Sequence, residues 1–197
     1  MARDHSDHSD PNPHHLILGR MKDFLTGKEL IDTHDERYRQ KIAKILVLEK
    51  HFDKKDIHAR TEFEINAAQK KAGIKIDFLI NLFIGQYNRT VMLIQYAPGS
   101  LVTRRLSTLA LSRIVRPYQI PIVVITNGED AEIISGDSGK VISTGLQNIP
   151  DKTDLIQQWS SFSFKAIDSL VFNKASGIVF ACEIDDACPC DSDICII

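Results

Sequence analysis

The strongest constraint on the fold is the stretch from Ile74 to Ser100, IKIDFLINLFIGQYNRTVMLIQYAPGS. Ile74, Ile76, Phe78, Ile80 and Leu82 alternate with Lys75, Asp77, Leu79 and Asn81, which is the period-two pattern of a strand. Gly85-Gln86-Tyr87-Asn88 supplies turn residues, and Thr90 to Tyr96 reads as a second strand. Ala97-Pro98-Gly99-Ser100 then stops it and opens a helix. Asp77 is an acid inside an otherwise very apolar strand, and a buried charge needs a partner or a metal. What that carboxylate is paired with decides what the chain can do.

The segments around this hairpin give an α/β order. Residues 1–32 read as a polar, flexible N-terminal tail followed by short helical pieces anchored by Leu16, Ile17, Leu18, Phe24 and Leu25. Asp32-Thr33 offers an N-cap, with Asp35 and Glu36 in the first turn of a helix running to about Lys50. Thr61 to Ile65 alternates as a first strand, ahead of the central hairpin. Leu101 to Arg116 is expected as a largely buried second helix closed by Pro117. Ile120 to Ile125 is a covered strand, Asn127-Gly128 a turn, and Ala131 to Ile134 the returning strand. Val141-Ile142 adds a short strand beyond a further turn. Residues 33–150 thus form the main domain. Residues 151–181 follow as a helix opened by Thr153-Asp154, carrying Leu155, Trp159, Phe162 and Leu170, and a last strand at Ile178 to Ala181. Residues 182–197 are an irregular, acidic, cysteine-rich tail. Helix, three strands, helix and two or three strands make a mixed central sheet flanked by helices.

Bulk properties set limits on function. With 197 residues, 43% of them apolar and 25% charged, the chain can bury one good core with appendages at its ends. No apolar run approaches the roughly 18 residues of a membrane span. The first fifteen residues are polar and His-rich, without a secretory h-region, so the expected compartment is the cytoplasm. Net charge is −2, but the last 16 residues carry five acids and no base, leaving the remainder at about +3. No G-x-x-x-x-G-K-[ST], G-x-G-x-x-G or G-x-S-x-G occurs, so no nucleotide is expected as a partner.

Four ordered pieces carry a resemblance. Asp35-Glu36-Arg37-Tyr38-Arg39-Gln40 is similar to an E-x-x-x-R-Q helix opening, and Ile76-Asp77-Phe78 to an A-D strand. Ala97-Pro98-Gly99 is similar to a K-x-P-G strand exit, and Val124-Ile125-Thr126-Asn127-Gly128 to a V-T-N-G strand and turn. Together, over about residues 33–145, they resemble the N-terminal domain of the type I restriction enzyme R subunit (HsdR), of the PD-(D/E)XK nuclease superfamily. The resemblance implies a restriction-endonuclease-like fold. It also implies a site in which an Asp and a Glu hold a divalent ion and a Lys two residues later orients water. Aligned on Pro98-Gly99, the Glu and Lys positions fall on Ile94 and Tyr96; one residue on, they fall on Gln95 and Ala97. Neither register supplies an acid or a lysine.

The candidate catalytic set is therefore Asp77, Glu36 and Gln95, a degenerate one in which Mg²⁺ is doubtful. The expected function is a nuclease-fold module without cleavage that associates with DNA or another protein. An Mg²⁺-dependent endonuclease with groups relocated to Glu62, Glu64 or Lys75 is the alternative. Arg104, Arg105, Arg113 and Arg116 lie on the second helix with no acid between Leu101 and Arg116. Arg105, Arg113 and Arg116 fall within about 80° on its wheel, as a phosphate-contacting face would, or as snorkelling at a helix edge would. Cys182, Cys188, Cys190 and Cys195, spaced C-x5-C-x-C-x4-C, could hold Zn²⁺ or an iron–sulfur cluster, which makes a small metal protein on a nuclease scaffold a third reading. Free thiols or redox disulfides are the alternatives for that tail.

Overall fold

The computed structural model describes residues 17–67, 70–185 and 194–196. An antiparallel hairpin, β1 (Ile17–Lys22) and β2 (Glu29–Thr33), leads into α1 (His34–Lys44). Thr33 caps α1 as expected, its hydroxyl accepting the Glu36 N–H at 3.1 Å. The hairpin replaces the short helical pieces expected before residue 32. Its turn explains why: the Gly27 N–H donates to the Asp23 carbonyl and both Thr26 donors reach the Asp23 carboxylate.

Behind α1 come β3 (Ile57–Ala67), β4 (Lys70–Ile84) and β5 (Tyr87–Tyr96), then α2 (Leu101–Ile114). Next are β6 (Ile122–Thr126), β7 (Ala131–Ser135) and β8 (Val141–Thr144). Among the described residues these strands form one mixed sheet in the order β3-β4-β5-β6-β7-β8, antiparallel except for β5 and β6. Parallel neighbours need a long crossover, and α2 is part of it. The β4–β5 turn is tight, Gly85 taking φ +60°. A further strand, β9 (Ile194–Ile196), pairs antiparallel with Ala72 to Ile74 of β4. The sheet flanked by helices is the architecture expected from the sequence.

Two cores lie on the two faces. On one, Ile42, Leu46 and Phe52 from α1 and the turn after it pack on Met92, Ile94, Ile122, Val124 and Ile133. On the other, Leu111 and Ile114 of α2 meet Leu93, Val123, Ile125 and Ile134. The alternation along β4 has a break in it. Ile74 and Ile76 belong to the α2 core, whereas Phe78, Ile80 and Leu82 belong to the α1 core. On β3, Ile65 and Ile57 divide the same way. The ribbon therefore turns over between these pairs, at Arg60 and Asp77, and Arg60 has φ +51°.

After β8 the chain departs from the expected single helix. α3 (Lys152–Gln157) starts at an Asp151 capping box and stops before Trp159. Phe162 and Phe164 then pack against the α1 core as connecting chain, and α4 (Ser169–Phe180) starts at Asp168. Ile178 to Phe180, part of the expected last strand, is the end of α4, where Val179 and Phe180 are buried against the α2 side. Among the described residues no helix is long and apolar enough to cross a membrane. Asp168 accepts the Val171 N–H at 2.9 Å, so Asp168→Ala should cost about 1 kcal/mol in urea denaturation, while Asp168→Asn should cost much less.

Candidate functional site

Strand geometry places Asp77. β5 stays beside β4 as far as the pair Phe78–Ile94, and Gln95 and Tyr96 continue along β6 opposite Ile125 and Thr126. The two strands part at Asp77, which leaves buried backbone groups to be satisfied by side chains. The Asp77 carboxylate accepts the Tyr96 N–H at 2.7 Å through Oδ2. The Gln95 carboxamide bridges the gap: its Oε1 accepts the Asp77 N–H at 3.2 Å and its Nε2 donates to the Lys75 carbonyl at 3.1 Å. Asp77 and Gln95 are thus brought side by side, as in the register that puts Ala97 at the Lys position.

Helix α1 supplies the counter-charge. Arg39 Nε donates to Asp77 Oδ1 at 2.6 Å, and the two side chains are only 16% and 7% exposed. The guanidinium carbon lies 5.3 Å from the centre of the Tyr96 ring, which stacks on Tyr38 at 5.8 Å. The Tyr96 hydroxyl donates to Asp35 at 3.2 Å. Burial, with Asp35 adding to it, raises the Tyr96 pKa far above the ordinary phenol value. Tyr38 donates to Glu129 at 3.1 Å, and that bond raises its pKa too.

Glu36, the third candidate, is buried one helical step away, accepting from Gln40 at 2.9 Å and from Arg60. Gln40 also donates to Asp23 at 2.8 Å, and Arg60 lies 3.5 Å from Asp23. Burial pushes the Asp23 carboxyl up, but hydrogen bonds from Thr26 and Gln40 and the Arg60 charge outweigh it, so its pKa falls below the ordinary value. Gln40 was visible only as the last residue of the helix-opening piece, and Asp23 and Arg60 were not legible as site residues. The only signal for Asp23 is the Thr26-Gly27 turn behind it, and nothing in the sequence foretells the left-handed backbone of Arg60.

The V-T-N-G piece closes the far side. Gly128, at φ +85°, lies against Tyr38, and a Cβ there would overlap the ring. Lys41 donates to the Gly128 carbonyl at 2.6 Å, and the Ala97 N–H to the Thr126 carbonyl at 2.9 Å. All four sequence pieces therefore converge on the ends of β5 and β6.

The candidate ligands are engaged by other groups of the chain. Asp77 already accepts from Arg39 and Tyr96, Gln95 is neutral, and Glu36 faces Gln40 and Arg60. Among the described residues, no three His, Cys, Asp or Glu side chains stand close enough together to hold a metal ion. Helix α2 ends at Ile114, short of the expected Arg116, and the four arginines on and just beyond it all have protein partners. Arg104 bonds Glu183 at 2.9 Å, Arg105 pairs with Glu132 through both its Nε and Nη2, Arg113 bonds Gln119 and Arg116 bonds Thr90. Of the four cysteines, Cys182 is half-buried beyond α4 and Cys195 is in β9, while Cys188 and Cys190 lie outside the described residues.

Two outcomes follow from this geometry. Gln95→Glu removes the donor to the Lys75 carbonyl and should cost about 1–3 kcal/mol in urea denaturation. A carboxyl with a depressed folded pKa stabilises above its unfolded value and ceases to as pH falls through the folded one. The Asp23 anchor should hold the β1–β2 hairpin down to about pH 4 and release it below, seen as faster amide exchange there, with Asp23→Asn abolishing that acid dependence. No match was found among curated proteins or solved structures. The pieces that meet here all fall within residues 34–150, more than half of the chain, which match the family model of the type I restriction enzyme R protein N terminus (HSDR_N), and the chain belongs to that family.

Proposed function

We propose that this member of the family is a binding module built on a nuclease-type scaffold, without phosphodiester cleavage of its own. The observation that carries the reading is the amide bridge of Gln95. A carboxamide both donates to the Lys75 carbonyl and accepts from the Asp77 N–H; a carboxylate at the same place could only accept. In the register that puts the family's Glu on Gln95, the residue present therefore fits a structural task that an acid cannot perform. Two residues on, Ala97 is buried and offers no amine to orient water.

The partner is DNA or another protein. The intramolecular pairing of Arg104 and Arg105 with Glu183 and Glu132 favours a modest, salt-sensitive contact with phosphates over a dedicated DNA-binding stripe. Relocated cleavage groups are the rival: Glu62 lies across from Lys75 on the β3–β4 ladder, and Glu64 pairs with Lys71 at 3.5 Å.

Supercoiled plasmid incubated with the purified chain and Mg²⁺ or Mn²⁺ should remain intact. Nicking that needs the ion and disappears in Asp77→Ala would overturn the reading. In gel shifts, any binding should weaken steeply with salt.

A further inference from the structure

We propose that Arg39 is the resident cation of this centre, its guanidinium holding the charge-balancing place beside Asp77 that a divalent ion holds in the nuclease the resemblance implies. The proposal rests on the reading above and deepens it: the centre is closed to divalent ions because a protein cation already fills it.

Each charged group around Asp77 has a hydrogen-bonding partner within the chain. From α1, Arg39 meets Asp77, Asp35 meets the Tyr96 hydroxyl, and Glu36 meets Gln40 and Arg60 of β3. From β5, the Tyr96 N–H takes the second oxygen of Asp77, and Gln95 adds no charge. An incoming ion would have to displace the guanidinium from Asp77 and then lie close to the charge it had displaced. Arginine suits the place better than lysine. Its planar, weakly hydrated head can pair with Asp77 and lie over the Tyr96 ring together, and both side chains are nearly buried.

Removing one partner from a buried pair leaves an uncompensated charge. The test uses the full chain, with thermal unfolding and Mn²⁺ binding followed by electron paramagnetic resonance. Arg39→Met should lower the melting temperature, and adding Asp77→Asn should restore part of it. Arg39→Lys, which keeps the charge, is the variant to use if Arg39→Met does not fold, and it should leave the centre without Mn²⁺. Arg39→Met combined with Gln95→Glu frees Asp77 and adds a second carboxylate. It should bind Mn²⁺ at least about tenfold more tightly than the natural chain and gain melting temperature from it.

Strictly additive effects of Arg39→Met and Asp77→Asn would overturn the assignment. So would Mn²⁺ binding by the natural chain that Asp77→Asn abolishes, or a combined variant no better at binding Mn²⁺ than the natural chain. DNA cleavage without Mn²⁺ at Asp77 would defeat the functional reading alone, whereas Mn²⁺ at Asp77 without cleavage would defeat only the assignment of Arg39.

Discussion

The parting of β4 and β5 is the constraint from which the rest of the centre follows. β5 must run beside β6, so its last two residues leave the β4 ladder and strand the Tyr96 N–H, the Asp77 N–H and the Lys75 carbonyl in a nearly dry place. Each such group costs about 1–3 kcal/mol if unpaired. Asp77 and Gln95 answer all three with side-chain atoms. The carboxylate that does part of this work then needs a counter-charge, and α1 provides it from Arg39. Backbone accounting on the sheet thus fixes how a helix on its surface is placed.

A second tie reinforces the first. Where the β3–β4 ribbon turns over, Arg60 reaches Glu36 and Asp23, joining β3 to α1 and to the turn of the N-terminal hairpin. Lys54 adds to the hairpin anchor by donating to the Phe24 carbonyl and lying over its ring. The charged side chains beneath α1 therefore hold three layers of chain together, and the same residue types that could bind a ligand are engaged in this task.

The element order from α1 to β8 was legible because period-two runs and turn residues are local signals. Ile74 to Leu82 show how far such signals reach: the alternation marks a strand correctly, yet assigns five residues to one face when two lie on the other. The reversal depends on the backbone of Arg60, a long-range effect without local signature. The split of the expected third helix at Trp159 to Asp168 was hidden for another reason. Leu155, Trp159 and Phe162 have near-helical spacing, but Phe164 draws Trp159, Phe162 and Tyr118 together in tertiary ring contacts that a continuous helix would not make. Within the site, Asp77 stood out as a charge in an apolar run, and Gly128 in an Asn-Gly pair. The arginines of α2 were visible as charges, but their partners lie far away in sequence, on Glu132 and Glu183.

The pairing of β9 with β4 bears on how the molecule is made. Once β5 has turned away, Ala72 to Ile74 present an open sheet edge, and the strand that covers it comes from residues 194–196. During synthesis the whole sheet can assemble well before those residues leave the ribosome. In that interval the exposed edge is a surface on which nascent chains can join one another.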